Sequence, residues 1–173
     1  MFDKQYRFTG THAKMVEDLT NVFDEQSNAK LFERNIDVYI NAPLVGFLYQ
    51  RKAKKNSDGN YANQNIFPEQ MIGASEKLKY NLRLILLLDS YHEPDKDKRL
   101  DKAFRNLGQE DDLALFDEYV LGGVEIFHEK LIEGASSPND YVNHLYDFLE
   151  DFQERFNAGI TSESILYLCN TEK

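Results

Sequence analysis

Cysteine is almost missing from this sequence. Cys169 stands alone among 173 residues, beside no tryptophan, four prolines and nine glycines. A lone thiol cannot close an internal disulfide, so a disulfide-stapled secreted framework is excluded and a reducing, cytoplasmic setting is the expectation. So few prolines and glycines leave little material for the many turns of an all-β chain, which favours long helices. Long hydrophobic runs are lacking too. Ile36–Tyr49 spans 14 residues and contains Asp37 and Asn41, and the run at 84–88 is bounded by Arg83 and Asp89. A bilayer needs roughly 20 apolar residues in a row, so no membrane contact is expected. Met1 is followed by FDKQYRFTG, which has no apolar core for a secretory leader.

Chemistry-bearing motifs are equally scarce. The chain has no phosphate-cradling P-loop and no GxGxxG. His92, His128 and His144 follow no arginine at the four-to-six-residue spacing that small helical nucleases use; Arg7 stands five residues before His12, in the segment read as an arm or short strand. Glu76-Lys77-Leu78-Lys79 lacks the Glu-x-Lys of a restriction-type core. Glu125-x-x-His128 has the spacing of a helical metal pair, with His144 on the next predicted helix. A di-iron bundle needs a second such pair, and Tyr141 stands where its glutamate would be. No catalytic residue, cofactor or metal ligand is assigned, and the expectation is a protein that is not an enzyme.

What is present is apolar residue and patterned charge. A 42% apolar and 13% aromatic content is too high for a disordered chain. Residues 1–107 hold 17 Lys/Arg against 15 Asp/Glu, whereas residues 108–173 hold 3 against 15. The two parts therefore carry opposite net charge, and the overall −10 argues against general DNA binding.

Periodicity predicts an all-α fold, a single domain over 1–173 with about six helices. Residues 1–10 read as an arm or a short strand, and 158–173 as a tail with a short apolar run at Ile165–Leu168. Helices are expected at about 11–23, 30–55, 68–91, 95–107, 109–133 and 138–156. Pro43 predicts a kink near 40–43 in the second, and 57–65 reads as a mobile loop. Gly108 and Gly134 mark helix ends, and Ser137-Pro138 marks a start.

Three features stand out as candidate sites. Arg51, Lys52, Lys54 and Lys55 gather at the predicted end of the second helix. There they either complement the helix dipole or contact a phosphate of nucleic acid. Glu118, Glu125, Glu129 and Glu133, with Asp147, Glu150, Asp151 and Glu154, line faces of the last two helices. They form either a solubility face or a docking face for a basic protein. Ala42 with Gly46, and Gly122 with Gly123, are small residues inside helices. There glycine costs about 1 kcal/mol relative to alanine, so close approach of another helix or a local kink is the expected reason, with a backbone site for a ligand as the lesser alternative.

Phe32, Asp37, Val38, Ala42, Gly46 and Phe47 together spell F-x4-D-V-x3-A-x3-G-F. Glu118-Tyr119 followed by Gly123 is similar to an E-Y-A-N-x-G stretch. In these motifs, across about residues 31–134, the chain resembles small helical accessory proteins of bacterial DNA phosphorothioation-dependent restriction and anti-phage defence gene clusters. It departs from them at Pro43, Val120 and Leu121. The resemblance implies antiviral-defence company and names no catalytic residue. The expected function is an accessory subunit of a defence or DNA-processing complex. It would dock through the acidic 118–154 surface onto a larger subunit with a basic surface, and touch nucleic acid only indirectly or through residues 51–55. Two alternatives are a phage-encoded acidic inhibitor that mimics nucleic acid before a host nuclease, and an enzyme whose Glu125, His128 and His144 converge on a metal.

Overall fold

The computed structural model describes residues 1–157. The order of elements is β1 (Tyr6–Phe8), α1 (Gly10–Thr20), β2 (Val22–Asp24), β3 (Ala29–Lys30), α2 (Asn35–Leu48), β4 (Gln64–Ile66), α3 (Pro68–Leu88), α4 (Lys96–Phe104), α5 (Glu110–Leu131) and α6 (Pro138–Asn157). The protein is mainly helical, but two short antiparallel ribbons, β1–β4 and β2–β3, correct the all-α expectation. The tail call at 158–173, including Cys169 and Ile165–Leu168, lies outside the described residues.

The chain divides into two compact units, Met1–Glu129 and the part from Lys130 onward. In the first, α3 packs on α2 and α4. Leu78, Leu82 and Ile85 of α3 are fully buried, as are Val38 and Ala42 of α2, and Val120 and Val124 of α5. Each such aliphatic larger than alanine contributes about 1.5–3 kcal/mol by leaving water. The register of β1 on β4 pairs Tyr6 with Ile66 and Phe8 with Gln64. Phe8 and Ile66 are thereby fully buried, while Asn65 accepts from Gln5 and Arg7 at the edge. The predicted loop at 57–65 thus ends in a strand. The segment after α1 turns back as a ribbon, its turn held by the Asp24 carboxylate, which accepts from the Gln26 amide and the Ser27 hydroxyl.

α2 differs most from the sequence expectation. It starts at Asn35 rather than Lys30, runs through the buried Pro43 without a break, and stops at Leu48. It stops because Gln50 takes a left-handed φ of 55°. The amide of Gln50 then donates to Phe47 O and that of Arg51 to Gly46 O, the two bonds that close a helix C-terminus of this kind. Arg51–Lys55 therefore lies beyond the helix, in an irregular segment.

Where α2 meets α5 the two backbones nearly touch. A Cβ on Gly46 would lie 2.1 Å from Tyr119 O, and one on Gly123 would lie 1.8 Å from Ala42 O. Side chains at either glycine would force the helices apart.

Candidate functional site

The segment that leaves α2 crosses α5 as a strap. The Ala53 amide donates to Glu118 O at 3.0 Å. A Cβ on Gly122 would meet Arg51 O at 2.0 Å, so this glycine is the floor of the crossing. The strap's cations are spent locally. Arg51 pairs with Glu129 at 2.5 Å and Lys55 with Asp117 at 3.3 Å, while Lys52 Nζ lies 3.8 Å from Asp89. Of the four basic residues singled out in the sequence, Lys54 makes no ion pair among the described residues.

Two of these contacts are small networks built alike. Lys52 Nζ sits 4.7 Å from the Tyr119 ring centre, and the Tyr119 hydroxyl donates to Asp89 at 2.6 Å. Lys55 Nζ sits 4.3 Å from the Tyr6 ring centre, and the Tyr6 hydroxyl donates to Asp117. Asp89 is the C-cap of α3 and is 2% exposed, so it carries negative charge where the helix dipole already disfavours it. The Tyr119 hydroxyl, the His92 amide at 3.0 Å and the Lys52 ammonium offset that cost. Burial, then the neighbouring carboxylates, push the phenols of Tyr6 and Tyr119 above the ordinary tyrosine range.

The end of the strap is tied to α1. Asn56 Oδ1 accepts the Thr11 amide at 3.0 Å, and its Nδ2 donates to Thr11 Oγ1 at 2.9 Å. The Thr9 hydroxyl donates to Asn56 O at 2.7 Å. His12 is 1% exposed and lies between Asn56 Nδ2 on Nδ1, at 3.5 Å, and Glu125 Oε1 on Nε2, at 3.1 Å. Glu125 is thus directed at His12, and His128 Nε2 is 3.4 Å from Asp18. The Glu125-x-x-His128 spacing does not converge, and His144 belongs to the second unit. Among the described residues no three His, Cys, Asp or Glu side chains are placed to hold a metal ion. Of the acidic residues singled out on α5, Glu125 and Glu129 face basic partners within their own unit, and Glu118 is half-buried.

In the second unit, α6 begins at a capping arrangement. The Asp140 carboxylate accepts from the Ser136 and Ser137 amides at 3.0 and 2.8 Å, which holds its pKa down to about 2. One face of the helix carries a ladder of rings, Phe148–Phe152 at 6.0 Å and Phe152–Phe156 at 4.8 Å. Leu145 and Leu149 join Val142 and Tyr146 in an exposed ridge. These four residues are 38%, 56%, 56% and 65% exposed. At 100° per residue, Asp147, Glu150 and Glu154 follow one edge of that ridge. All three are exposed, whereas Asp151 pairs with Arg155 at 3.2 Å.

Sequence reasoning assigned no site role to Tyr6, His12, Asn56, Asp89, Asp117 or Tyr119. The one visible signal was Asp89, an acid closing a fully apolar helical run. Comparison with protein-family models, curated proteins and solved structures finds no match. No helix among the described residues is long and apolar enough to cross a membrane.

Proposed function

We propose that the chain is a non-enzymatic interaction subunit that docks a larger protein through the outer face of α6. The observation that carries this reading is the ridge Val142, Leu145, Tyr146 and Leu149, exposed along a helix and edged by Asp147, Glu150 and Glu154. Contiguous exposed apolar surface with a polar rim is characteristic of protein interfaces. The occupant that fits is an apolar groove with a lysine- or arginine-rich rim on a larger subunit. Apolar contact then supplies the affinity, while charge sets orientation and association rate. A mimic of a nucleic-acid backbone would instead present charge without a central apolar ridge. The resemblance in residues 31–134 supports a defence or DNA-processing complex as the setting.

Replacing Glu150, Asp151 and Glu154 with lysine tests the reading, because these residues lie on the outer helix surface. The tagged protein should capture a stoichiometric partner from its native host, nuclease treatment should not release it, and the triple variant should lose it with unchanged helix content. Retention of the partner by the triple variant at moderate salt would exclude the acidic edge from docking.

A further inference from the structure

A second feature lies wholly within Met1–Glu129 and is independent of α6. The chain before β1 folds across the first turns of α5 and leaves a cleft of about 560 Å³. That volume falls within the range of small-molecule sites. Its apolar wall includes Phe2, Tyr39, Met71, Leu113 and Phe116, and its polar end is Asp117, beside Tyr6. The rings are in mutual contact: Phe2–Phe116 at 5.5 Å, Phe116–Tyr39 at 6.2 Å and Tyr39–Tyr6 at 4.5 Å.

We propose that this cleft binds a small organic amine, its apolar body against Phe2, Met71 and Leu113 and its ammonium group at the Asp117 carboxylate. Two observations choose a cation. The protein already places one there, since the Lys55 ammonium lies 3.3 Å from Asp117 and 4.3 Å from the Tyr6 ring centre, although Lys55 is not part of the cleft wall. A carboxylate offers about four acceptor positions, and Tyr6 and Lys55 take one each, which leaves capacity on a side chain 27% exposed. Burial and Asp117 also keep the Tyr6 and Tyr39 phenols neutral, so they add no competing charge.

The test uses three probes of one shape and different charge: phenethylammonium, phenethyl alcohol and hydrocinnamate. Each is titrated into the full chain and followed by backbone amide shifts. The proposal expects phenethylammonium to saturate with a Kd below about 1 mM, shifting Phe2, Tyr39 and Asp117. The other two should bind at least about tenfold more weakly, a difference of 1.4 kcal/mol. Asp117→Asn should weaken phenethylammonium to the level of the alcohol. Should that variant fail to fold, Ala114→Trp, at an exposed α5 position on the cleft wall, should block all three probes. No saturation in that range, equal binding of the three probes, or binding that survives Ala114→Trp overturns the proposal.

Discussion

One substitution, made at two glycines, should act in opposite directions. At Gly123 a methyl carbon would sit 1.8 Å from Ala42 O, 2.5 Å from Ala42 C and 2.9 Å from Ala42 Cα. All of these atoms are backbone, so no side chain can swing aside. Restoring ordinary contact requires α2 and α5 to separate by about 1.5 Å, since unstrained carbon contacts lie near 3.5 Å or beyond. Forced overpacking costs about 1–3 kcal/mol, and separation also loosens the buried Val38, Val120 and Val124. Alanine returns about 1 kcal/mol through helix propensity. Because only backbone stands in the way, the upper end of that range applies, and the net expectation for Gly123→Ala is a loss of about 2 kcal/mol. Gly73 also lies inside a helix, but a methyl carbon there meets nothing within 4 Å. Gly73→Ala should therefore gain about 0.5–1 kcal/mol. Urea unfolding followed by circular dichroism measures both. With a slope of about 1–3 kcal/mol/M, the midpoint should fall by about 1 M for Gly123→Ala and rise by a few tenths for Gly73→Ala. A midpoint for Gly123→Ala at or above the parent value would refute the backbone contact.

The strap separates exposed from buried pairing. Arg51→Ala breaks a pair whose side chains are 39% and 42% exposed and should cost under about 1 kcal/mol. Lys52→Met leaves the buried Asp89 carboxylate with one cation fewer and should cost about 2 kcal/mol in the same unfolding assay; equal losses would contradict this division. Alkaline titration reads three enclosed phenols, Tyr39 and Tyr119 buried and Tyr6 half-buried. Tyr6, Tyr39 and Tyr119 have folded pKa values raised above the unfolded value of about 10. Their stabilisation is fully present below that pH and is lost as pH rises towards the folded values. Phenolate absorbance should thus show three of the ten tyrosines ionising only with unfolding, and their titration with the rest would contradict the burial.

Local signals carried the helices from Pro68 onward, because apolar periodicity, Ser137-Pro138 and the glycines at 108 and 134 all act within a few residues. Helix α2 was overextended because its end depends on the backbone turn at Gln50, which has no glycine to announce it. The ribbon β1–β4 joins residues nearly sixty apart, beyond any local pattern. Charge misled for the same reason. RKAKK and the acids of α5 read as two separate surfaces, yet Arg51 and Lys55 meet Glu129 and Asp117 across the fold. The small residues at 42, 46, 122 and 123 were visible as positions of close approach, but the strap crossing over Gly122 was not. On α6 the 3.6-residue period gathered the apolar residues, while only burial separates the ring ladder from the exposed ridge.

The most direct test of the docking account replaces the ridge itself. Leu145→Ser with Leu149→Ser removes apolar surface from the exposed side of α6 and leaves every charge in place. Binding to the captured partner, measured by calorimetry, should weaken by at least about 2 kcal/mol, roughly thirtyfold, with the cap and helix content intact. Unchanged affinity in this double variant would contradict docking through α6.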